Sequence, residues 1–575
     1  MGSKISKILM ASLLVGLLSL SANAYQIPEK TLQIARQRMV EAVEKKGPES
    51  EVIRVGIGNQ AFNSYNYKEI SVYGTSAVGI YDGNKFITTV GANSLINVKL
   101  TQKGMFEIYS GSKLLEEVSG PVHFVCDNGL LGVSGLKRAG KPALYHGAFE
   151  IVKSATTGFF NLVNMVEVEE YLKGVVPNEM PVRFGLEALK AQSVTARNYV
   201  LSPRVKASPN YDVVDSVASQ VYYGANTEKD IATRAVQETE GVVALYGWDL
   251  ILAQYSSTAG GYTEDFAYVF SDPKTKAFPS IVKPYLVAKP DIPEQGSLEN
   301  EEDALKFYST VPDSFDLKSP YYRWTREWTA DELRANLEST LPAQSLTGFV
   351  TPEFVKGETL GEIQKLEVKR RGKSGKIIEL VIYTNKKHIH LFKELVIRRA
   401  FIKDGKALPS ANVVFVPTLD DSGKLVSVKA FGGGYGHGVG MSQFGAGFMA
   451  QELGKSYKDI LFHYYTDIVL ATKPVTLTKD NDFVSQTFYA DKDKVFLVVD
   501  NKDKVPSIIL NINGKDRIFP LESHVFGDAI NRIDISKYIK EGRNRVIYVY
   551  SDAESKIRGK ELRVYIEVGR GNGNN

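Results

Sequence analysis

The chain has little cysteine, little excess of charge and, beyond its first twenty residues, no long apolar run. Cys126 is the only cysteine among 575 residues, which excludes an internal disulfide, and it is expected to be a small buried side chain. Lys and Arg total 70 against 66 for Asp and Glu, and this near balance argues against a nucleic-acid-binding surface. No later stretch approaches the ~20 apolar residues of a membrane span, so no integral membrane segment is expected there.

The amino terminus has the pattern of a secretory signal. Lys4 and Lys7 precede an apolar run at 8–20, and Ser21-Ala-Asn-Ala24 has the small residues of a signal-peptidase site. The run is short for a transmembrane helix, so we expect cleavage after Ala24 and export to the periplasm or the cell exterior. No cysteine follows the signal, so a lipid anchor is not expected there.

The length allows several domains, because ~100 to 200 residues per domain is usual and 43% of the residues are hydrophobic. The predicted fold class is α+β, with a mixed central domain between a β-rich region and a β-sandwich. The predicted parts are a signal peptide at 1–24, a helix plus β-rich region at 25–148, a mixed domain at 149–471, a β-sandwich at 472–568 and a disordered tail at 569–575.

Local patterns underlie these regions. An amphipathic helix is predicted at 29–46, and Asp82-Gly83 marks a turn before a strand. A capping box at Thr329 and Glu332 predicts a helix start. Near the carboxyl end, short apolar segments around an Asn513-Gly514 turn have the spacing of a sandwich, and residues 534–544 look like a loop of carbohydrate-binding jelly rolls.

One carboxylate stands between two prolines. Glu179 lies in the segment Val-Pro-Asn-Glu-Met-Pro, with Pro177 before it and Pro181 after it. Proline disfavours helical geometry in the residue that precedes it, here Val176 and Met180. We therefore predict that Glu179 lies on a stiff loop between two helices, as suits a catalytic acid. The simpler alternative is a glutamate that complements the dipole of the next helix.

The helix predicted after this turn carries two cations. Lys190 and Arg197 are seven residues apart and project from one face, while Leu186 and Leu189 contribute to an apolar stripe. One acid could then face two positioned cations. An ordinary solvated helix face is the alternative.

A second dense signal is the glycine-rich segment at 432–447, with eight glycines in sixteen residues and one histidine, His437. Glycine allows backbone to approach a ligand or another loop closely. The segment lacks the context of a phosphate-binding loop. A helix is predicted at 441–452, and we predict that His437, Ser442 and Gln443 line a groove opposite Glu179. A purely structural loop is the alternative.

Taken in chain order, these segments resemble the stage II sporulation protein D family, whose relatives include amidase enhancers of bacterial cell walls. The resemblance covers about residues 150–470. Besides residues 169–199, it rests on Ser219-Gln-Val-Tyr-Tyr-Gly224, Ala235-Val-Gln-Glu-Thr-Glu-Gly241, Thr258-Ala-Gly-Gly-Tyr-Thr-Glu264, Pro284-Tyr-Leu286, Gly434-Tyr-Gly-His-Gly-Val-Gly-Met-Ser-Gln-Phe-Gly-Ala446 and His463-Tyr-Tyr465.

The resemblance implies a lytic transglycosylase that cleaves peptidoglycan glycan strands, preferably those without stem peptides, with Glu179 as its acid and base. A hydrolytic glycosidase needs two carboxylates. Here the C6 hydroxyl of muramic acid is the nucleophile, so one carboxyl serves and the product carries a 1,6-anhydro end. A proton donor must start protonated, which cations in direct contact oppose. Lys190 and Arg197 are therefore expected farther along the groove, or to stabilise Glu179 after proton donation.

Further substrate contacts are expected from Ser256, Thr258 or Glu264. The segment at 254–261 lacks the Gly-x-Ser-x-Gly elbow of a serine hydrolase. Some members of the family bind zinc in this block through cysteine and histidine, but this chain offers neither there, so we expect no metal and no cofactor. The corresponding positions hold Tyr255, Ser256, Ser257 and Ala259.

Several other residues are interpreted as structural. His388 and His390 share one face of a predicted strand without an evident third metal ligand. Four tyrosines could stack on sugar rings, but core packing is the better interpretation: Tyr222, Tyr223, Tyr464 and Tyr465.

Two alternatives to the transglycosylase stay open. The first is a non-catalytic wall-binding protein that enhances an N-acetylmuramoyl-L-alanine amidase, although the presence of Glu179 favours an enzyme. The second is a two-carboxylate muramidase, for which the sequence offers no second acid at a fixed spacing. The expected partners are glycan strands and a cell-wall amidase.

Overall fold

The computed structural model describes residues 51–126, 128–203, 206–478, 483–504, 507–521, 529–550 and 561–571. The predicted signal peptide, the predicted helix at 29–46 and residues 572–575 lie outside these ranges. Helices and strands occur together in both compact units of the chain, which confirms the α+β class. The first unit contains residues 51–181, Val200–Val243 and Leu470–Gly569, and the second contains Val182–Tyr199 and Ala244–Val469.

Eight α-helices lie in the described ranges, and none of them is long and apolar enough to cross a membrane. They are α1 (Val168–Glu179), α2 (Leu186–Leu201), α3 (Asp230–Gln237), α4 (Glu301–Tyr308), α5 (Ala330–Ser345), α6 (Glu394–Ala400), α7 (Gln443–Gln451) and α8 (Tyr457–Tyr464). Short 3-10 helices lie at Val182–Phe184, Ala225–Thr227, Phe266–Tyr268 and Ser536–Tyr538.

The amino-terminal part of the first unit contains two sheets, and no helix precedes α1 in the described residues. The predicted Asp82-Gly83 turn joins two paired strands of the first sheet. In order across this sheet the strands are Val213–Val214, Val52–Gly56, Phe160–Glu167, Ala148–Lys153, Val122–Cys126, Val78–Asp82 and Lys85–Val90. The second sheet contains Lys141–Tyr145, Leu131–Arg138, Glu69–Gly74, Ile96–Leu100, Phe106–Ser110 and Lys113–Val118.

The carboxyl-terminal part of the first unit has antiparallel strand pairs in two sheets, and their packing as a sandwich stays a prediction. Asn513 and Gly514 have φ of 51° and 84° and form the predicted hairpin turn. One sheet contains Phe483–Ala490, Gly542–Tyr550, Ser507–Ile512 and Lys515–Pro520. The other contains Val475–Thr478, Glu561–Arg570, Phe496–Asp500 and Ile530–Asp534, so its longest strand includes the first two residues of the predicted tail.

The second unit has a core in which α5, α6 and two small sheets pack around Trp328, which is 1% exposed. The predicted capping box at Thr329 and Glu332 is present at the start of α5. The sheets contain Trp324–Thr329, Leu425–Gly432 and Val413–Leu419, and Val350–Thr351, His388–Phe392, Ile377–Thr384 and Ile363–Arg371. Shorter strands are Asp249–Leu250, Tyr255–Ser256, Ile402–Lys403, Lys406–Ala407 and Met441–Ser442. Val242–Tyr246 and Val469–Thr472 are strands at the points where the chain passes between units.

Candidate functional site

Glu179 is the last residue of a helix and does not lie on a loop. Helix α1 continues through Pro177 to Glu179, so the predicted break at Val176 is wrong. The apolar face of α1 is buried, and this burial outweighs the missing N–H of Pro177. Met180 is extended, with φ of −124° and ψ of 130°, as the prediction for the residue before Pro181 requires. Glu179 therefore ends a rigid element, which retains the predicted stiffness by another route.

The carboxylate of Glu179 is held by backbone of the first unit. Its Oε1 accepts a hydrogen bond of 2.6 Å from the N–H of Val221, and the side chain is half-buried. Val221 lies in the segment 219–224, which packs on α1 so closely that a Cβ on Gly174 would be 2.8 Å from the Tyr222 ring. Two of the motif blocks thus meet at the carboxylate and fix its position.

Lys190 and Arg197 lie on α2 in the second unit and are buried, with exposures of 8% and 1%. The interpretation as a solvated helix face is therefore wrong. Lys190 Nζ lies 2.9 Å from Glu187 Oε1, and Glu187 Oε2 accepts the N–H of Tyr457 at 2.8 Å. Burial of an unpaired charge is costly, so buried cations are held by partners. Their positions are therefore fixed.

Gln443 connects α2 to the start of α7. It is the first residue of α7, and its Nε2 donates a hydrogen bond of 3.2 Å to Oε1 of Gln192 on α2. Gln443 is 7% exposed and Gln192 is fully buried. The second unit therefore brings the predicted residue Gln443 to the helix that carries Lys190 and Arg197.

The segments 254–261 and 432–440 pack backbone against backbone in the second unit. Thr258 and Tyr435 exchange two backbone hydrogen bonds of 3.2 and 2.9 Å. A Cβ on Gly440 would lie 2.1 Å from the carbonyl oxygen of Gln254, and one on Gly434 would lie 2.9 Å from the Thr258 oxygen. The glycines of the motif are thus required for the close approach of two loops.

The hydroxyl groups predicted to bind sugar make structural hydrogen bonds here. Ser256 Oγ accepts the N–H of Gly438 at 3.2 Å, and Ser442 Oγ caps α7 by accepting the N–H of Gly445 at 3.3 Å. Because Ser442 is the cap, α7 starts two residues later than predicted. Thr258 is 1% exposed, and its hydroxyl lies 2.7 Å from that of another serine, Ser319. Contact of Ser256, Thr258 and Ser442 with substrate stays a prediction.

His437 lies on the glycine-rich loop and is partly buried. Its Nδ1 accepts the N–H of Val439 at 3.1 Å. Burial chiefly lowers the pKa of His437 to about 4, and the cations Lys376 and Arg398 lower it further against the opposing effect of Glu394. The ring is therefore neutral at physiological pH and carries its proton on Nε2, which forms a hydrogen bond with the backbone of Tyr255.

We expect His437 to remain neutral throughout the range from pH 5 to pH 8, and NMR of its imidazole nitrogens will show this. The pKa in the folded state lies below the ordinary 6.5, so the folded state resists protonation. The contribution of His437 to the free energy of unfolding is therefore fully present above pH 6.5 and is lost as the pH falls towards 4. An imidazole that titrates near pH 6.5 would contradict the expectation.

Sequence reasoning did not predict a structural role for three buried acids of the second unit. Asp316 accepts the N–H of Gly260 at 2.6 Å, and burial raises its pKa to about 6. Glu264, expected at the sugar, is fully buried and accepts the hydroxyl of Ser374 at 2.6 Å; burial raises its pKa. Asp291 lies 3.0 Å from His463 Nε2. Glu264 and His463 lie in motif blocks, whereas no sequence signal marks Asp316.

The residues interpreted as structural are found in such roles. His390 Nδ1 lies 2.9 Å from Glu379 Oε1. In the described ranges, no three His, Cys, Asp or Glu side chains form a cluster that could hold a metal ion. Cys126 is buried, as are three of the four tyrosines, which confirms their interpretation as core: Tyr222, Tyr464 and Tyr465.

The substitution Gly440→Ala is expected to destabilise the second unit by about 2–4 kcal/mol, because it adds a steric clash to an unfavourable φ of +69°. Gly423 is the matched control, since its φ is +81° but no atom lies within 4 Å of its added Cβ. Gly423→Ala should cost only the ~1 kcal/mol of the backbone. Urea unfolding of both variants measures the difference, and equal losses would refute the close packing of the loops.

Comparison with known proteins shows which segments of the chain have relatives. Residues 156–246, which include Glu179 and Val221, match the family described as stage II sporulation protein. Residues 273–440 match a domain of unknown function, DUF8618. The amidase enhancer of Bacillus subtilis is 32% identical over 318 residues, which are 52% of this chain and 40% of that protein.

Stage II sporulation protein D of Bacillus subtilis is 29% identical over 55% of this chain and 78% of its own length. The protein of the same name from Bacillus amyloliquefaciens is 28% identical over the same shares. The chain thus spans about two fifths of the amidase enhancer and most of the shorter relatives.

The fold and the site define an α+β protein in which a backbone-held glutamate ends a helix and a glycine-rich loop is interlocked with a second loop. Residues 156–246 form a domain of the stage II sporulation protein family, and the chain is similar to stage II sporulation protein D and to an amidase enhancer, which confirms the resemblance drawn from its motifs.

Proposed function

We propose that the protein is an exported lytic transglycosylase that cleaves peptidoglycan glycan strands, with Glu179 as the acid and base. The observation that carries this proposal is the partly buried carboxylate of Glu179, fixed by the N–H of Val221 at the end of α1. A proton-transfer group needs a defined position, and the hydrogen bond from Val221 together with the incomplete burial of Glu179 supports this role. The family of the chain supports a role at the cell wall.

The proposed reaction proceeds within one glycan strand. The carboxyl of Glu179 protonates the departing glycosidic oxygen. The resulting carboxylate then takes the proton of the C6 hydroxyl, and the C6 oxygen attacks C1 of the same muramic acid. One bond is broken and one is formed, so no water enters and the product carries a 1,6-anhydro end. Strands without stem peptides are the proposed substrate.

Other groups support this chemistry in the proposal. Lys190 and Arg197 are buried and fixed, so in the proposal they act on defined atoms of the glycan. The neutral ring of His437 holds the glycine-rich loop in this proposal, because its N–H bonds to the backbone of Tyr255 and its Nδ1 accepts the N–H of Val439. The carboxyl-terminal sheets could hold glycan nearby.

Mass spectrometry of the products tests the proposal. Peptidoglycan strands with and without stem peptides are incubated with purified residues 25–575. Anhydro-muramic ends, produced faster from the peptide-free strands, are the expected result. Reducing ends would show hydrolysis, and with it the two-carboxylate muramidase.

The second candidate is a non-catalytic enhancer of a cell-wall amidase. The identity of 32% with an amidase enhancer favours it. This candidate predicts that the protein binds glycan without cleaving it and that it increases the rate of an added N-acetylmuramoyl-L-alanine amidase on intact walls. Stimulation that persists in Glu179→Gln, without anhydro ends from either protein, would select the enhancer over the enzyme.

A further inference from the structure

Two exposed tyrosines are in contact at the surface of the second unit. Tyr321 and Tyr435 are 38% and 42% exposed, and their ring centroids lie 4.3 Å apart with planes inclined by 35°. A single exposed aromatic side chain is ordinary, whereas these two form one contiguous aromatic surface.

Both tyrosines are held by backbone hydrogen bonds. Tyr435 exchanges its two with Thr258, and the N–H of Gly434 donates to the Tyr321 carbonyl at 2.8 Å. The indole N–H of Trp324 donates to the Gly434 carbonyl at 3.1 Å. A pair held in this way is already ordered, so binding costs it little conformational entropy.

The setting indicates what the pair binds. Tyr435 is two residues from His437 on the glycine-rich loop, so the aromatic face belongs to a segment that is fixed on both sides by hydrogen bonds. Pyranose rings present C–H groups on one face and oxygen acceptors at the edge. The face of an aromatic ring carries the negative part of its quadrupole, which attracts such C–H groups, and the tyrosine hydroxyl can bond to sugar hydroxyls.

We propose that Tyr321 and Tyr435 form a stacking platform for an N-acetylhexosamine ring of a glycan strand. This proposal rests on the proposed function and names a glycan subsite for it. The platform replaces the sugar-stacking role considered for Tyr222, Tyr464 and Tyr465, which are buried in the core.

Isothermal titration of the full chain with a tetramer of N-acetylglucosamine, and with peptide-free glycan strands, tests the platform. Tyr435→Ala and Tyr321→Ala should each raise the Kd by about tenfold, as is usual for loss of an aromatic anchor. Tyr435→Trp keeps an aromatic face and should stay within about threefold of the wild type. Tyr246→Ala is the matched control, because Tyr246 is 38% exposed and also contacts another ring, that of Tyr285 at 5.6 Å.

Wild-type affinity in both alanine variants, with a lowered melting temperature, would overturn the proposal and leave the pair as a support for the loop. A wild-type protein that binds neither probe would overturn it as well. The tetramer contains no muramic acid, so its binding is measured apart from cleavage. Tyrosine-dependent binding without anhydro products would reject the transglycosylase alone, whereas cleavage with tyrosine-independent binding would reject the platform alone.

Discussion

The Glu179→Gln variant is expected to form 1,6-anhydro-muramic ends about 10²–10⁴-fold more slowly than the wild type. This is the usual contribution of general acid–base catalysis. The amide oxygen of glutamine can still accept the N–H that donates to Glu179 Oε1 at 2.6 Å, so the position of the side chain is retained. What the variant loses is the transferable proton. Initial rates on peptide-free strands, followed by mass spectrometry, measure this loss.

Glu116→Gln is the matched control in the same unit. Its side chain is 39% exposed, and its carboxylate lies 3.4 Å from Lys85 Nζ in a surface ion pair. This variant should cleave at the wild-type rate, because such pairs contribute little to stability. Anhydro ends released at an undiminished rate by Glu179→Gln would show that the acid is another group.

Local structure was predictable where a short motif determines it. The turn at Asn513-Gly514, the capping box at Thr329 and the extended Met180 before Pro181 each follow from the conformational preference of one or two residues. The break expected before Pro177 failed because burial of the apolar face of α1, a tertiary effect, outweighed a local preference.

The environment of the site was less predictable. A periodic pattern shows that Lys190 and Arg197 share a face, but burial of that face depends on segments distant in sequence. The same holds for Tyr321 and Tyr435, which are separated by more than a hundred residues and meet only through the backbone pairing around Gly434. Motif order identified the segments that carry the site, whereas their contacts required the folded chain.

The Arg138→Met variant should destabilise the first unit by about 3–5 kcal/mol, the usual cost of breaking a buried ion pair from one side. Arg138 Nη2 lies 2.7 Å from Oδ2 of Asp215, and Asp215 is fully buried. The N–H of Gly58 donates to the other carboxylate oxygen at 3.1 Å, so methionine leaves Asp215 with that bond but without its cation. Urea-dependent hydrogen exchange of peptides from residues 51–181 measures the loss in this unit.

The loss should also depend on pH. Burial raises the pKa of Asp215 from its ordinary 3.8 to about 6, although Arg138 and the N–H of Gly58 oppose the change. Because the folded state holds this proton more tightly than the unfolded chain, the contribution of Asp215 to stability falls as the pH rises from about 4 to about 6. Without Arg138 the pKa rises further and the fall continues above pH 6, so the variant should differ more from the wild type at pH 8 than at pH 5.

Lys99→Met and the double variant Arg138→Met with Asp215→Asn separate the buried charge from other effects. Lys99 Nζ lies 3.5 Å from Glu69 Oε1 and both side chains are about half exposed, so this variant should lose at most about 1 kcal/mol. The double variant contains no buried charge at this position and should recover stability relative to Arg138→Met at pH 8. A loss in Arg138→Met that is equal at pH 5 and pH 8 and unaffected by Asp215→Asn would mean that the arginine acts through packing, for example against the Phe62 ring, whose centroid lies 4.1 Å from its guanidinium carbon.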